Sequence, residues 1–148
     1  IVKSKISKKD MFKDIKINIE GKEVQVKAMV DTGNMLKEPI SGKPVIVVEH
    51  TLLYDILPKE IFNNLEKILG GDIESLPDEI KNKYISKLKF IPFSSLGKQN
   101  GMLIGIKPTY VEVMQEENTK KEDVIIGIYN KSFTKNGEYR ALIGIDLI

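Results

Sequence analysis

The sequence has no cysteine, no tryptophan, one histidine and one arginine. Each scarcity removes a class of chemistry. Without Cys there is no disulfide framework and no thiol nucleophile, a composition that suits a reducing compartment. One His and no Cys leave too few ligands for a zinc site, so neither a metal nor another cofactor is expected. A Ser-His-Asp or Cys-His mechanism would have to run through His50. That residue follows the apolar run Val45-Ile46-Val47-Val48 and reads as a surface residue at a strand end. Arg140 is the only Arg, which argues against bidentate readout of bases or phosphates. Aromatic residues make up 7% and the net charge is +2, so nucleic acid is not expected as a partner. No apolar run reaches membrane-spanning length, and no stretch is built like a signal peptide.

What is present fits one globular domain: 148 residues, 41% hydrophobic and 30% charged. The chain begins at Ile1 rather than Met, and we expect a piece of a longer protein. Residues 1–14 are rich in Lys and read as a lead-in or linker; residues 15–148 read as the domain.

Ile15, Ile17 and Ile19 alternate with polar residues, as do Val24, Val26, Ala28 and Val30. Period-two alternation predicts two half-buried strands, with Gly21-Lys22 as the hairpin turn between them. The second strand ends in Met29-Val30-Asp31-Thr32-Gly33-Asn34, the stretch around which the chain is organised. Apolar residues anchor the loop and leave the acid at its tip. The Thr hydroxyl is free to bond across the loop or across a dimer axis. Gly33 lets the backbone turn tightly beside the acid. A plain Asx-type turn after a strand would use the same tripeptide.

A loop follows, punctuated by Pro39, Gly42 and Pro44, then a buried strand at 45–48. Residues 51–83 carry apolar positions at helical spacing, with stops at Pro58 and Gly70-Gly71, and predict a helical insertion. Strand character returns over 84–93 and 102–106 around a polar, glycine-punctuated tip that includes Ser95, Leu96, Gly97 and Gly101. That reads as a long hairpin. Residues 110–114, 124–129 and 139–148 complete the strands, with a charged turn at 115–123. Short strands and tight turns predict a mainly β domain closed as a barrel.

The run at 29–33 resembles the signature of retropepsin-like aspartic peptidases. Leu142-Ile143-Gly144-Ile145-Asp146-Leu147 is similar to that family's second signature, with a hairpin flap in between. More closely, Val30-Asp31-Thr32-Gly33-Asn34, Gly42-Lys43-Pro44-Val45, Phe90-Ile91-Pro92-Phe93, Gly101-Met102-Leu103 and Lys107-Pro108 together resemble the sporulation sigma-E factor-processing peptidases of endospore formers.

The resemblance implies a retropepsin-like barrel with a helical insertion. It implies an aspartic endopeptidase that removes the pro-sequence of a sigma factor precursor. Asp31 would be the catalytic acid, Thr32 and Gly33 would support its loop, and Ser95, Leu96, Gly97 and Gly101 would form a substrate-binding flap. A multi-pass membrane region would precede the domain and hold it at the cytoplasmic face, and an activating protein is a possible further partner. Aspartic peptidases need two carboxyl groups sharing a proton. One chain supplies one Asp-Thr-Gly, so a homodimer with Asp31 from each chain is expected. Asp146 is assigned a structural role. Many family members carry Arg just before that acid, where this chain has Ile145. Two other readings compete: a catalytically idle module of the same fold that binds partners, and a β-barrel that binds nucleic acid.

Overall fold

In this computed structural model residues 11–33, 36–95 and 99–148 are described, without the side chains of 94, 95, 99 and 100. Most of the 1–14 lead-in, Asn34, Leu96 and Gly97 lie outside them. The elements run β1 (Phe12–Ile19), β2 (Lys22–Asp31), β3 (Val45–Glu49), α1 (Lys59–Asn63), α2 (Leu65–Leu69), α3 (Asp78–Tyr84), β4 (Leu88–Ser95), β5 (Gln99–Ile106), β6 (Tyr110–Met114), β7 (Thr119–Lys121), β8 (Ile125–Tyr129) and β9 (Ala141–Gly144). Short 3-10 turns cover His50–Leu53 and Ile145–Leu147.

The alternating residues of β1 account for its place inside the sheet, between β2 and β6. Ile15, Ile17 and Ile19 are 0%, 0% and 1% exposed, each worth roughly 1.5–3 kcal/mol of burial. The strand begins at Phe12, inside the expected lead-in. Its hairpin with β2 pairs Ile19 with Lys22, so the turn is Glu20-Gly21, one residue earlier than predicted. Both turn residues have positive φ, 53° and 81°, and this twist matches that of the flanking strands.

All nine strands form one sheet in the order β4-β5-β8-β3-β9-β2-β1-β6-β7. Among the described residues the expected barrel closure is not found: β4 and β7 are edges that do not pair with each other. Both edges are poor templates for closure. Pro92 cannot donate to a ladder, and β7 is a three-residue strand ending in Lys120-Lys121. Side chains from β1 and β6 share one core with Ile104 and Ile106 of β5 and with Ile126 of β8.

The helical insertion lies between β3 and β4, as predicted, but as three short helices and a 3-10 turn. Leu53, Ile56, Ile61, Ile68 and Tyr84 send its apolar stripe into the same core. A second, smaller cluster occupies the opposite face of the sheet: Val45, Val47, Ile91, Leu103 and Ile125, with Phe93, Leu142 and Phe133 packed against it.

Candidate active site

Asp31 is the last residue of β2, in the interior of the sheet. On one side β2 runs parallel to β9, with Ala28 beside Ala141, Val30 beside Ile143 and Asp31 beside Gly144. On the other side the pairing with β1 ends at Met29 and Phe12, and the Val30 amide then donates to the Met11 carbonyl at 2.8 Å. Ala28 is fully buried and Val30 packs against the main core. The strand is therefore fixed on both sides up to the acid. Asp31 itself is half-buried, and Thr32 and Gly33 are exposed.

Within the loop, Asp31 Oδ1 accepts the Gly33 N–H at 3.0 Å. The Asx-type turn is thus present, and among the described residues no hydrogen bond reaches the second carboxylate oxygen. Gly33 does not have the positive φ that a tight turn would demand. A Cβ there would lie 3.6 Å from Asp31 Oδ1, an ordinary contact. Among the described residues, therefore, neither packing nor φ requires glycine at this position, where the sequence led us to expect a tight turn.

Strand parity sets which face the acid occupies. Val24 and Val30 of β2 pack on the main core. Met29 is opposite Leu142, which packs on the second cluster. Asp31, two residues further on, shares the face of Met29. Ile91 and Phe93 of the β4–β5 hairpin belong to that same second cluster. Asp31 and the predicted flap hairpin therefore face the same side of the sheet, but the ladder registers put Asp31 level with the hairpin's base near Lys107, and Ser95 and Gln99 lie at its other end. The hairpin is paired from Leu88 and Ile106 out to Ser95 and Gln99. Gly101 lies opposite Phe93, under its ring.

Asp146 lies in the 3-10 turn two residues after Gly144, with Oδ2 4.0 Å from Lys37 Nζ. Among the described residues no hydrogen bond joins it to Asp31, and no group of three His, Asp or Glu residues is arranged to hold a metal ion. Sequence patterns missed two buried acids. Glu38, 2% exposed, folds the following loop by accepting the Ile40 N–H at 2.7 Å and the Ser41 N–H at 2.9 Å. Those amide bonds hold its carboxyl below the usual range. Glu49, 3% exposed, binds Arg140 and so fixes the entry to β9. Neither acid stands in a motif.

Residues 1–147 match the family described as sporulation factor SpoIIGA, a peptidase family by name. The chain belongs to the SpoIIGA family. It is 27% identical over 142 residues to a sporulation sigma-E factor-processing peptidase of Priestia megaterium, covering 94% of this chain and 45% of that protein. A protein of the same name from Bacillus subtilis is 27% identical over 133 residues, covering 87% of this chain and 42% of its own length. The chain thus spans less than half the length of these two SpoIIGA-family relatives. No solved structure matches it. Among the described residues no helix is long and apolar enough to cross a membrane.

Proposed function

We propose that this chain is the proteolytic domain of an aspartic endopeptidase that removes the pro-sequence of a sporulation sigma factor precursor. Asp31 is its catalytic acid, and the second carboxyl group is Asp31 of a second copy meeting it across a two-fold axis. One acid of the pair is ionised and takes a proton from water as the water attacks the scissile carbonyl. The other is protonated and polarises that carbonyl. Thr32 braces the pair across the axis. Ser95, Leu96, Gly97 and Gly101 belong to a hairpin that closes over an extended substrate, excluding water.

The observation that carries this reading is the seat of Asp31. The acid sits at a strand end fixed by parallel pairing to Gly144, half-exposed, on the same face as the hairpin. A rigid strand end is where a catalytic acid is best held. The room for a side chain at Gly33 among the described residues is compatible with the reading, in which substrate backbone approaches there. The names of the relatives supply the substrate class. In keeping with them, a membrane region outside this chain and an activating protein belong to the same reading.

The test is co-expression of the longer protein with its sigma factor precursor, as wild type and as Asp31→Asn. Asn retains a side-chain oxygen for the Gly33 amide, so the loop keeps its shape. Shortened precursor from the wild type alone is the expected result. Equal shortening by both overturns the aspartic mechanism. An Asp31→Asn chain that still dimerises but does not cut separates the enzyme from an idle binding module.

A further inference from the structure

We infer that a cavity on the helical insertion is a second recognition site, one that takes an acidic polypeptide segment bearing an aromatic side chain. The cavity has a volume of about 760 Å3 and is walled by the 3-10 turn after β3, by α1 and α2, and by Asn130 after β8. It arises from a break in the helices. Asn64 leaves helical geometry at φ −117° and ψ 18°, and its side-chain amide donates to the Glu60 carbonyl at 2.7 Å. The break separates α1 from α2, and Phe62 and Leu65 line the space on either side of it. Ile61 and Ile68 of the same helices are fully buried in the core, so the walls are anchored.

The inner wall is a chain of rings. His50 and Tyr54 meet edge to face at 5.5 Å, and Tyr54 and Phe62 at 4.9 Å. His50 is fixed from behind: its Nδ1 lies 3.1 Å from the Tyr129 carbonyl, which only accepts, so Nδ1 carries the hydrogen. Such a wall favours an aromatic side chain packed against its edges. Tyr54 is 51% exposed, and among the described residues that exposed half is left uncovered.

Charge selects the rest of the ligand. Lys59 and Lys67 line the cavity, and among the described residues neither ammonium has an ion-pair or hydrogen-bond partner. Glu66 is the one acid of the lining. The balance favours carboxylates flanking the aromatic side chain, with Glu66 as the opposing group.

This site is separate from Asp31. Asp31 is level with Gly144 on β9, and Leu142 is level with Val47 on antiparallel β3, so Gly144 is level with Val45. His50 stands five residues beyond Val45, roughly 17 Å along the strand direction at about 3.3 Å per residue. The two sites occupy opposite ends of the sheet, and binding here does not depend on the catalytic reading.

The single histidine makes the test direct, because one imidazole resonance reports on the cavity. The probe is the blocked tripeptide acetyl-Glu-Phe-Glu-amide, titrated against this chain by NMR, with acetyl-Gln-Phe-Gln-amide and acetyl-Lys-Phe-Lys-amide as charge controls. The expected result is a saturable shift of His50 with the acidic peptide, weakest with the basic one. The double variant K59E/K67E should lower the affinity about tenfold, and Glu66→Lys should raise it about threefold. All three positions are exposed, so the fold is kept. Asp31→Asn should bind as the wild type does. Absence of a saturable shift, an equal response to the basic peptide, or undiminished binding by K59E/K67E overturns the inference.

Discussion

Glu49 and Arg140 form a half-buried ion pair that ties the end of β3 to the start of β9. Arg140 Nε donates to Glu49 Oε1 at 3.1 Å, while Glu49 Oε2 takes the Phe133 amide at 2.8 Å. Arg140 also reaches the Thr51 hydroxyl, and its carbonyl accepts the Glu49 amide at 3.0 Å. The chain's one guanidinium is thus spent on its own architecture.

Removing that guanidinium leaves a buried carboxylate short of a partner. Arg140→Met should cost about 2–3 kcal/mol in urea unfolding followed by tyrosine fluorescence or circular dichroism. Arg140→Lys should recover only part of the loss, because an ammonium lacks the fork that reaches Glu49 and Thr51 together. Full recovery by Lys would reduce the pair to simple charge attraction.

Acid should loosen the loop after Asp31 through Glu38. Its folded-state pKa lies below the ordinary 4.5, chiefly through the Ile40 amide, with Ser41 assisting. A depressed carboxyl stabilises the fold above the unfolded value, and that contribution fades as pH falls from about 4.5 through the folded value. Stability measured against pH should therefore drop in this window for the wild type. Glu38→Gln should be less stable at neutral pH and show a shallower drop. Parallel curves for the two chains would remove Glu38 from the acid response.

Gly101 and Phe93 should be coupled. A Cβ on Gly101 would lie 2.3 Å from Phe93 Cζ, so Gly101→Ala must displace the ring. We expect a loss of about 1–3 kcal/mol in the wild-type background and less than about 0.5 kcal/mol once Phe93 is Ala, a difference that a double-mutant cycle reads directly. If the hairpin acts on substrate, Gly101→Ala should also lower the rate of precursor shortening. Additive losses would show that ring and glycine do not share one contact.

Thr32 separates folding from assembly. Its side chain is exposed, so Thr32→Ala should change the unfolding free energy by less than about 0.5 kcal/mol. Under the proposed function the same change should weaken dimerisation and slow cleavage, and Thr32→Ser should restore both. Sedimentation equilibrium and a precursor-shortening assay read the two effects. A Thr32→Ala enzyme as fast as the wild type would leave the hydroxyl without a role across the axis.

The strands were legible wherever one face is buried. Ile15, Ile17 and Ile19, and the run from Val45 to Val48, carry their burial in their spacing, and the structure buries them. β7 was not legible. Thr119-Lys120-Lys121 has no apolar face, and tertiary pairing with β6 alone makes it a strand. The first turn was misplaced by one residue because Glu20 adopts a positive φ that side chains rarely take. The position of Asp31 at the end of a strand was legible from the alternation that precedes it. Two buried acids were not: Glu38 folds the loop after Asp31 onto its own carboxylate, and Glu49, at the far end of β3, acquires its role only when Phe133 and Arg140 fold onto it. Whether the sheet closes depends on its edges, and alternation along single strands carries no information about that.

The parallel pairing of Asp31 with Gly144 also sets a time. The two residues are 113 apart (144 − 31), so the acid's seat is completed by a strand made long after the acid itself. At about 5–20 residues per second, a ribosome needs roughly 6–23 s to go from one to the other. During that interval the Asp-Thr-Gly loop exists without the strand that fixes it. A chain cut short before β9 carries the acid but not its seat.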